Sequence, residues 1–123
     1  MEESDVKSSP GLVCVIFDVT EMQRVNDEHG YEFGNEVLEF VETQLQLAFG
    51  SAFVRRLGGD EFLIRQSNNI SVETDDKARV IAQTVWDRLG IQLDWGLGVG
   101  GTTNEAKRAA ISHLFEQRRR AHS

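Results

Sequence analysis

The run LVCVIF at residues 12–17 constrains the fold more than any other stretch of this chain. Consecutive apolar residues, several of them β-branched, are typical of a strand that is covered on both faces. The run stops at Asp18, so we expect the Asp18 carboxylate to lie where a buried strand reaches the edge of its sheet. A strand of this kind needs neighbouring strands and covering helices, which the rest of the chain must supply.

The patterns that follow predict helices interleaved with strands. In chain order we predict a strand at 12–17, a helix at 21–27, a helix from 35, strands at 53–57 and 62–64, a polar loop at 67–76, a helix ending before 90, a strand at 91–99 and a helix from 104. Helical spacing puts Trp86 and Phe115 on buried faces, and Asn35 is expected to be an N-cap. The order indicates an α+β fold, a ferredoxin-like antiparallel sheet with helices packed on one face.

Length, composition and charge narrow the class of protein. The chain has 123 residues, so we expect one domain over 11–123, preceded by a disordered lead-in at 1–10 that does not resemble a signal peptide. No apolar run approaches the roughly 18 residues of a membrane span. The single cysteine, Cys14, excludes a disulfide framework, so the cytoplasm is the expected compartment and no membrane partner is expected. The net charge of −7 argues against stable nucleic-acid binding, and a phosphate ligand is expected to arrive with metal.

Three carboxylates carry the candidate chemistry. Asp60 and Glu61 follow Gly58 and Gly59 at the turn between two predicted strands, and glycines there allow the backbone to approach a ligand. If this hairpin lies beside the first strand, both carboxylates meet Asp18. Carboxylates at close range repel one another unless a hard cation binds them, and two Mg²⁺ ions about 4 Å apart would serve phosphoryl chemistry. Taken alone, Gly-Gly-Asp-Glu would equally suit a polar hairpin turn.

The motifs around these carboxylates resemble the GGDEF family of diguanylate cyclases. The resemblance lies in FDVTEMQRVND at 17–27, HG at 29–30, GN at 34–35 and RLGGDEF at 56–62. It implies the palm fold of nucleotide cyclases and a Mg²⁺-dependent (or Mn²⁺-dependent) nucleotidyltransferase that condenses two nucleoside triphosphates, GTP or ATP, into a cyclic dinucleotide. Ring closure requires each 3′-hydroxyl to attack the other nucleotide, so we expect two facing copies in a symmetric homodimer.

The resemblance also implies residue roles. Asp18 and Asp60 match the metal carboxylates, with the backbone carbonyl of Val19 assisting them. Glu61 matches a second metal ligand or the group that helps to deprotonate the 3′-hydroxyl.

Five further residues match nucleotide-binding positions of the family. Gly58 and Gly59 match the turn that lies against the nucleotide, and Asn26 matches the side chain that binds the base edge. Arg118 stands where a phosphate-binding lysine is usual, and a guanidinium can replace an ammonium there. Asn35 replaces an aspartate that accepts hydrogen bonds from guanine, so adenine stays open as the base.

Other departures from the family keep a second function open. Thr20 and Gln23 replace an aspartate and a lysine, residues 49–52 lack an inhibitory Arg-x-x-Asp motif, and the N-terminal helix with Asp-x-Leu-Thr is missing. The alternative is therefore a degenerate domain that binds nucleotide and signals through a partner. A palm reduced in this way also resembles the minimal CRISPR polymerases, which implies cyclic nucleotide signalling in phage defence.

The sequence GLGVGG at 96–101 matches the dinucleotide-binding pattern G-x-G-x-x-G only literally. That fold requires a helix, another strand and an acidic residue about 20 positions further on, and too little chain follows. We expect these glycines to end a strand that packs tightly against a helix.

Overall fold

The computed structural model describes residues 11–67 and 71–121, and the predicted lead-in at 1–10 lies outside them. The elements in chain order are β1 (Leu12–Val19), α1 (Met22–His29), α2 (Tyr31–Phe49), a 3₁₀ turn (Ser51–Phe53), β2 (Val54–Leu57), β3 (Glu61–Ser67), α3 (Ser71–Leu89), β4 (Leu93–Gly100) and α4 (Thr103–Ala121). The predicted alternation of helices and strands is confirmed.

The described strands form one antiparallel sheet in the order β2-β3-β1-β4. Strand β1 is central, and its register places Asp18 opposite Glu61 on β3 and opposite Asp94 on β4. The predicted ferredoxin-like α+β sheet is therefore confirmed.

Helices cover both faces of the sheet. On one face Val15, Phe17 and Phe62 are completely or almost completely buried in a core that also includes residues of α1, α2 and α3. On the other face the smaller core is formed with α4, and its buried members are Cys14, Ile16, Leu63, Ala106, Ala110 and Leu114. The prediction of helices on one face was wrong, because alternate residues of β1 point to opposite faces and both sets are apolar.

Glycines of β4 determine how closely α4 approaches the sheet. A Cβ on Gly96 would lie 2.3 Å from the Ala110 carbonyl oxygen, and one on Gly98 would lie 2.2 Å from the Ala110 nitrogen. A Cβ on Gly100 would lie 2.6 Å from the Ala106 nitrogen. The run therefore packs a strand against a helix, as predicted, although these three glycines lie along β4 and do not merely end it.

Several local predictions were wrong. The loop predicted at 67–76 is short, because α3 already begins at Ser71. Asn35 is not an N-cap, since α2 begins at Tyr31 and places Asn35 inside the helix. Trp86 and Phe115 are 55% and 58% exposed, because each lies at the margin of its helix's apolar stripe.

Candidate active site

The acidic site lies at one end of three neighbouring strands, the central strands β3 and β1 and the edge strand β4. Antiparallel register places Asp18 between Glu61 and Asp94, and side chains directly opposite one another share a face of the sheet. The backbone N–H of Val19 donates to the Asp60 carbonyl at 3.0 Å, which ties the hairpin turn to the end of β1. The structure thus brings Asp18, Asp60 and Glu61 together, and it adds Asp94.

Two glycines shape the hairpin turn. Gly58 has φ of +70°, a conformation that favours glycine, and a Cβ on Gly58 or Gly59 would meet nothing within 4 Å. Arg56 donates from Nη2 to the Gly59 carbonyl at 2.7 Å and so fixes the turn from outside. The turn therefore presents open backbone beside the carboxylates, where a ligand can approach it closely.

Arg118 reaches the acidic site from the last turn of α4. One of its terminal nitrogens donates to Asp18, and its Nε donates to Asp94 at 3.0 Å. Burial lowers the pKa of Arg118, but the hydrogen bonds and charges of these two carboxylates outweigh that effect and raise it. The guanidinium supplies positive charge to the cluster in this state.

Asp94 is the residue of this site that sequence reasoning missed. Its carboxylate accepts hydrogen bonds from Thr20 Oγ1 at 2.5 Å, Gln92 Nε2 at 2.9 Å and Arg118 Nε at 3.0 Å. One signal could have identified it: Asp94 is the only charged residue in the strand LDWGLGVG. It also stands directly opposite Asp18, but that pairing depends on a register that the sequence does not specify.

Asp18, Glu61 and Asp94 respond differently to their surroundings. Burial raises the pKa of Asp18, and repulsion from Asp60 and Asp94 adds to this, whereas the Arg118 hydrogen bond acts in the opposite direction. The pKa of Glu61 is also raised, first by burial and then by the charges of Asp18 and Asp60. For Asp94, burial is outweighed by three hydrogen-bond donors, so its pKa is lowered. Arg118 donates to both carboxylates, but only Asp94 has two further hydrogen-bond donors. The effect of burial on the pKa is therefore outweighed at Asp94 and not at Asp18.

The donor chemistry suits a hard divalent cation, since carboxylate and carbonyl oxygens are the ligands that Mg²⁺ and Mn²⁺ prefer. Asp18, Asp60, Glu61 and the carbonyl of Val19 are the groups that would hold it. Over residues 11–67 and 71–121, however, no three acidic, histidine or cysteine side chains are already arranged as a metal site. In this state the carboxylate of Asp18 is paired with Arg118 instead.

The residues expected to bind the base lie on the other side of β1. The Asn26 side-chain oxygen is buried without a hydrogen-bond partner, and a Cβ on Gly34 would lie 1.9 Å from it. A buried acceptor without a donor is unfavourable by roughly 1–3 kcal/mol. Asn35 follows Gly34 on α2 and is exposed.

Two of the cavities that Arg118 lines lie beside the carboxylates. One, of about 450 Å³, lies between α4 and the hairpin and includes Gly58, Glu61 and Lys107. The other, of about 500 Å³, includes Thr20 and Asp94. The end of α4 thus separates two spaces next to the carboxylates.

Within the described residues, no helix combines the length and hydropathy that crossing a bilayer requires.

Comparison with known proteins identifies the family. The sequence profile described as "Diguanylate cyclase, GGDEF domain" matches residues 2–96, more than half of the chain. The chain is 25% identical over 107 residues to "Probable diguanylate cyclase DgcF" of Escherichia coli (strain K12), covering 81% of this chain and 34% of that protein. It is 34% identical over 74 residues to "Signaling protein YkoW" of Bacillus subtilis (strain 168), covering 58% of this chain and 9% of that protein. The chain therefore spans about a third or less of the length of these relatives.

Solved structures share the fold. The GGDEF domain of DgcB from Caulobacter crescentus, determined in complex with c-di-GMP, matches with a TM-score of 0.79 at 17% identity, covering 92% of this chain and 75% of that one. The active GGEEF domain of a diguanylate cyclase from Vibrio cholerae matches with a TM-score of 0.72 at 23% identity, covering 93% and 80%. At these identities the likeness shows the fold, which is the predicted palm. The match to the family's profile shows more, and it confirms the resemblance first seen in the motifs: this chain belongs to the GGDEF domain family of diguanylate cyclases.

Proposed function

We propose that this GGDEF domain condenses two nucleoside triphosphates into a cyclic dinucleotide, with Mg²⁺ or Mn²⁺ as its cofactor. The proposal depends mainly on one observation. Asp18 and Glu61 lie opposite each other on the two central strands, and the backbone N–H of Val19 donates a hydrogen bond to the Asp60 carbonyl beside them. The intact signature in a member of a cyclase family supports the same activity.

In this proposal Asp18, Asp60 and the carbonyl of Val19 hold the divalent cation. Glu61 binds a second cation or accepts the proton of the attacking 3′-hydroxyl. When bound, such cations neutralise the triphosphate and lower the pKa of the attacking hydroxyl. The 3′-oxygen forms a bond to the α-phosphorus of the other nucleotide, the bond to pyrophosphate breaks, and the hydroxyl proton leaves through the site to solvent. A second, equivalent step closes the ring and releases the second pyrophosphate.

Binding of the nucleotide would involve four groups. The open backbone at Gly58 and Gly59 lies against the nucleotide, Asn26 binds the base edge, and Arg118 binds phosphate. The DgcB domain binds c-di-GMP, which favours GTP as the substrate. An amide at Asn35 both donates and accepts, so ATP is the competing substrate.

Two copies of the domain would face each other across a two-fold axis. One copy holds one triphosphate, and the second α-phosphate must come from its partner. The cytoplasm supplies nucleoside triphosphates and is the compartment that this activity requires. Product containing adenine would further favour the resemblance to minimal CRISPR polymerases and a role in phage defence.

Mass spectrometry of products tests the proposal. The protein is incubated with all four ribonucleoside triphosphates and Mg²⁺, and Asp60→Ala serves as the matched control. We expect a cyclic dinucleotide from the wild type and none from the variant, and the mass also identifies the base. A product of equal yield from both proteins would refute the assignment of the site.

A second candidate is a domain that binds nucleotide without turnover. The pairing of Asp18 with Arg118 favours it, because a metal ligand that is already neutralised binds a cation less readily. The replacements at Thr20 and Gln23 favour it too. Calorimetric binding of a triphosphate together with the absence of any product would select this candidate.

A further inference from the structure

Asp94 is more extensively hydrogen-bonded than any other carboxylate of the cluster. Its two oxygens accept from the Thr20 hydroxyl, the Gln92 amide and the Arg118 Nε at 2.5, 2.9 and 3.0 Å. Three donors fix the orientation of this largely buried carboxylate, whose side chain is 16% exposed. An acidic residue beside a site for a polyanion is otherwise unfavourable, so its presence here requires an explanation.

The geometry of the guanidinium supplies that explanation. Arginine has five N–H donors in a rigid planar fork, and Asp94 engages the one on Nε. Asp18 engages Nη2, a separate terminal nitrogen of the same fork. The two pairs are therefore separable: Arg118 can release Asp18 while Asp94 still holds the side chain, and the terminal N–H groups then become available to another oxyanion.

Once Asp18 is released, Asp94 alone would define the position of Arg118. The residue lies in the last turn of α4, where helices fray, and a free arginine side chain has about 2 kcal/mol of rotamer entropy to lose on binding. A side chain that is already held loses less on binding phosphate, so holding it raises affinity.

We propose that Asp94 is a positioning residue, which holds Nε of Arg118 so that its terminal nitrogens can pass from Asp18 to the phosphate oxygens of the substrate. The inference rests on the proposed function, since it assumes a triphosphate ligand. It assigns a role to a residue of β4 outside the GGDEF signature.

Simple electrostatics predicts the opposite effect, which makes the inference easy to test. Removing a negative charge next to a polyanion should tighten binding if Asp94 is a bystander. If Asp94 positions Arg118, Asp94→Asn should instead weaken binding, because the neutral amide holds the guanidinium less firmly. The two explanations therefore differ in sign.

The experiment measures binding of non-reactive α,β-methylene analogues of GTP and ATP by calorimetry, with Mg²⁺ present. We expect Asp94→Asn to raise the Kd about tenfold, as is typical for loss of a hydrogen bond to a charged group. In an Arg118→Gln background the same change should have an effect of less than about twofold. Glu21→Gln is the matched control, because Glu21 lines the same cavity and pairs with Arg24 instead.

A second variant keeps the inference testable if Asp94→Asn does not fold. Arg118→Lys keeps the charge but has no Nε–H for Asp94 to accept, so we expect a similar loss of affinity. Unchanged or tighter binding by Asp94→Asn, an equal loss in the Arg118→Gln background, or unchanged binding by Arg118→Lys would each overturn the positioning role. A wild type that binds neither analogue would instead refute the proposed function, and this inference with it.

Discussion

Gly98→Ala is the substitution whose effect follows most directly from the fold. A methyl group at this position would lie 2.2 Å from the Ala110 nitrogen and 2.3 Å from the Ala106 carbonyl oxygen. The shorter distance is about 1.2 Å inside the 3.4 Å at which ordinary contact begins. Both atoms belong to the backbone of α4, so no change of rotamer can relieve the overlap, and the helix itself must move away from β4.

The cost of that movement can be worked out approximately. Moving α4 loosens the second core, in which Cys14, Ile16 and Leu114 are almost completely buried. Overpacking a core usually destabilises a protein by about 1–3 kcal/mol, and a clash between two backbones belongs at the upper end, about 3 kcal/mol. For a domain of this size each kcal/mol lowers Tm by about 4 °C, so we expect a decrease of about 12 °C.

Thermal unfolding followed by circular dichroism measures this decrease. Gly59→Ala is the matched control, since its methyl group would meet nothing within 4 Å and should change stability by no more than about 0.5 kcal/mol. The Gly98→Ala variant should also lose activity, because a displaced α4 moves Arg118 away from the acidic site. A Tm for Gly98→Ala within about 2 °C of the wild type would refute the tight packing of α4 on the glycines of β4.

Four further predictions concern three other variants and the dilution of the wild-type protein. Asp60→Ala should reduce product formation by more than about 100-fold with an unchanged Tm, and an active variant would remove Asp60 from the site. Asn35→Asp should shift competition between the triphosphates toward GTP, whereas an unchanged ratio would show that Asn35 does not contact the base. Glu61→Gln should raise Tm at pH 7 by no more than about 2 °C, since the side chain is exposed. The pKa of Glu61 is raised in the folded state, so the stability contributed by this carboxyl is fully present below its pKa in the unfolded chain and is lost as pH rises through its pKa in the folded protein. The gain in Tm from Glu61→Gln should therefore vanish near about pH 4, and a gain at every pH would contradict the repulsion between the carboxylates. Specific activity should rise with protein concentration below the dimer dissociation constant, and a rate independent of dilution from a particle that scatters as a monomer would refute the facing copies.

Much of the fold follows from local patterns in the sequence. The continuous apolar run of β1 predicts burial on both faces, and the structure buries residues 13–17 at no more than 3% exposure. The same run should have predicted helices on both faces, because a strand covered twice needs two layers. The loop predicted at 67–76 was wrong because polarity alone does not distinguish a loop from the first turns of a helix. Helix α3 begins at Ser71, and its first turns contain the acidic residues Glu73, Asp75 and Asp76.

The candidate site was only partly predictable, for a physical reason. Asp18, Asp60 and Glu61 could be found because they end a buried strand and occupy a glycine turn, which are local signals. Asp94 becomes visible only once the register of β4 against β1 is known, since one residue of slip would turn its side chain to the opposite face. Arg118 lies 100 residues from Asp18 along the chain, and its ion pair depends on how closely α4 approaches β4.

The charge of α4 explains why an arginine stands at the acidic site. The C-terminal end of a helix carries a partial negative charge, and this end of α4 approaches carboxylates that already repel one another. The last turn contains Arg118, Arg119 and Arg120, which offset that field. Arg118 donates to both Asp18 and Asp94, so it neutralises the pair where the sheet brings the two together. In the proposed function, a cation at Asp18 would displace this guanidinium, and the released terminal N–H groups would then be available to the phosphates of the triphosphate.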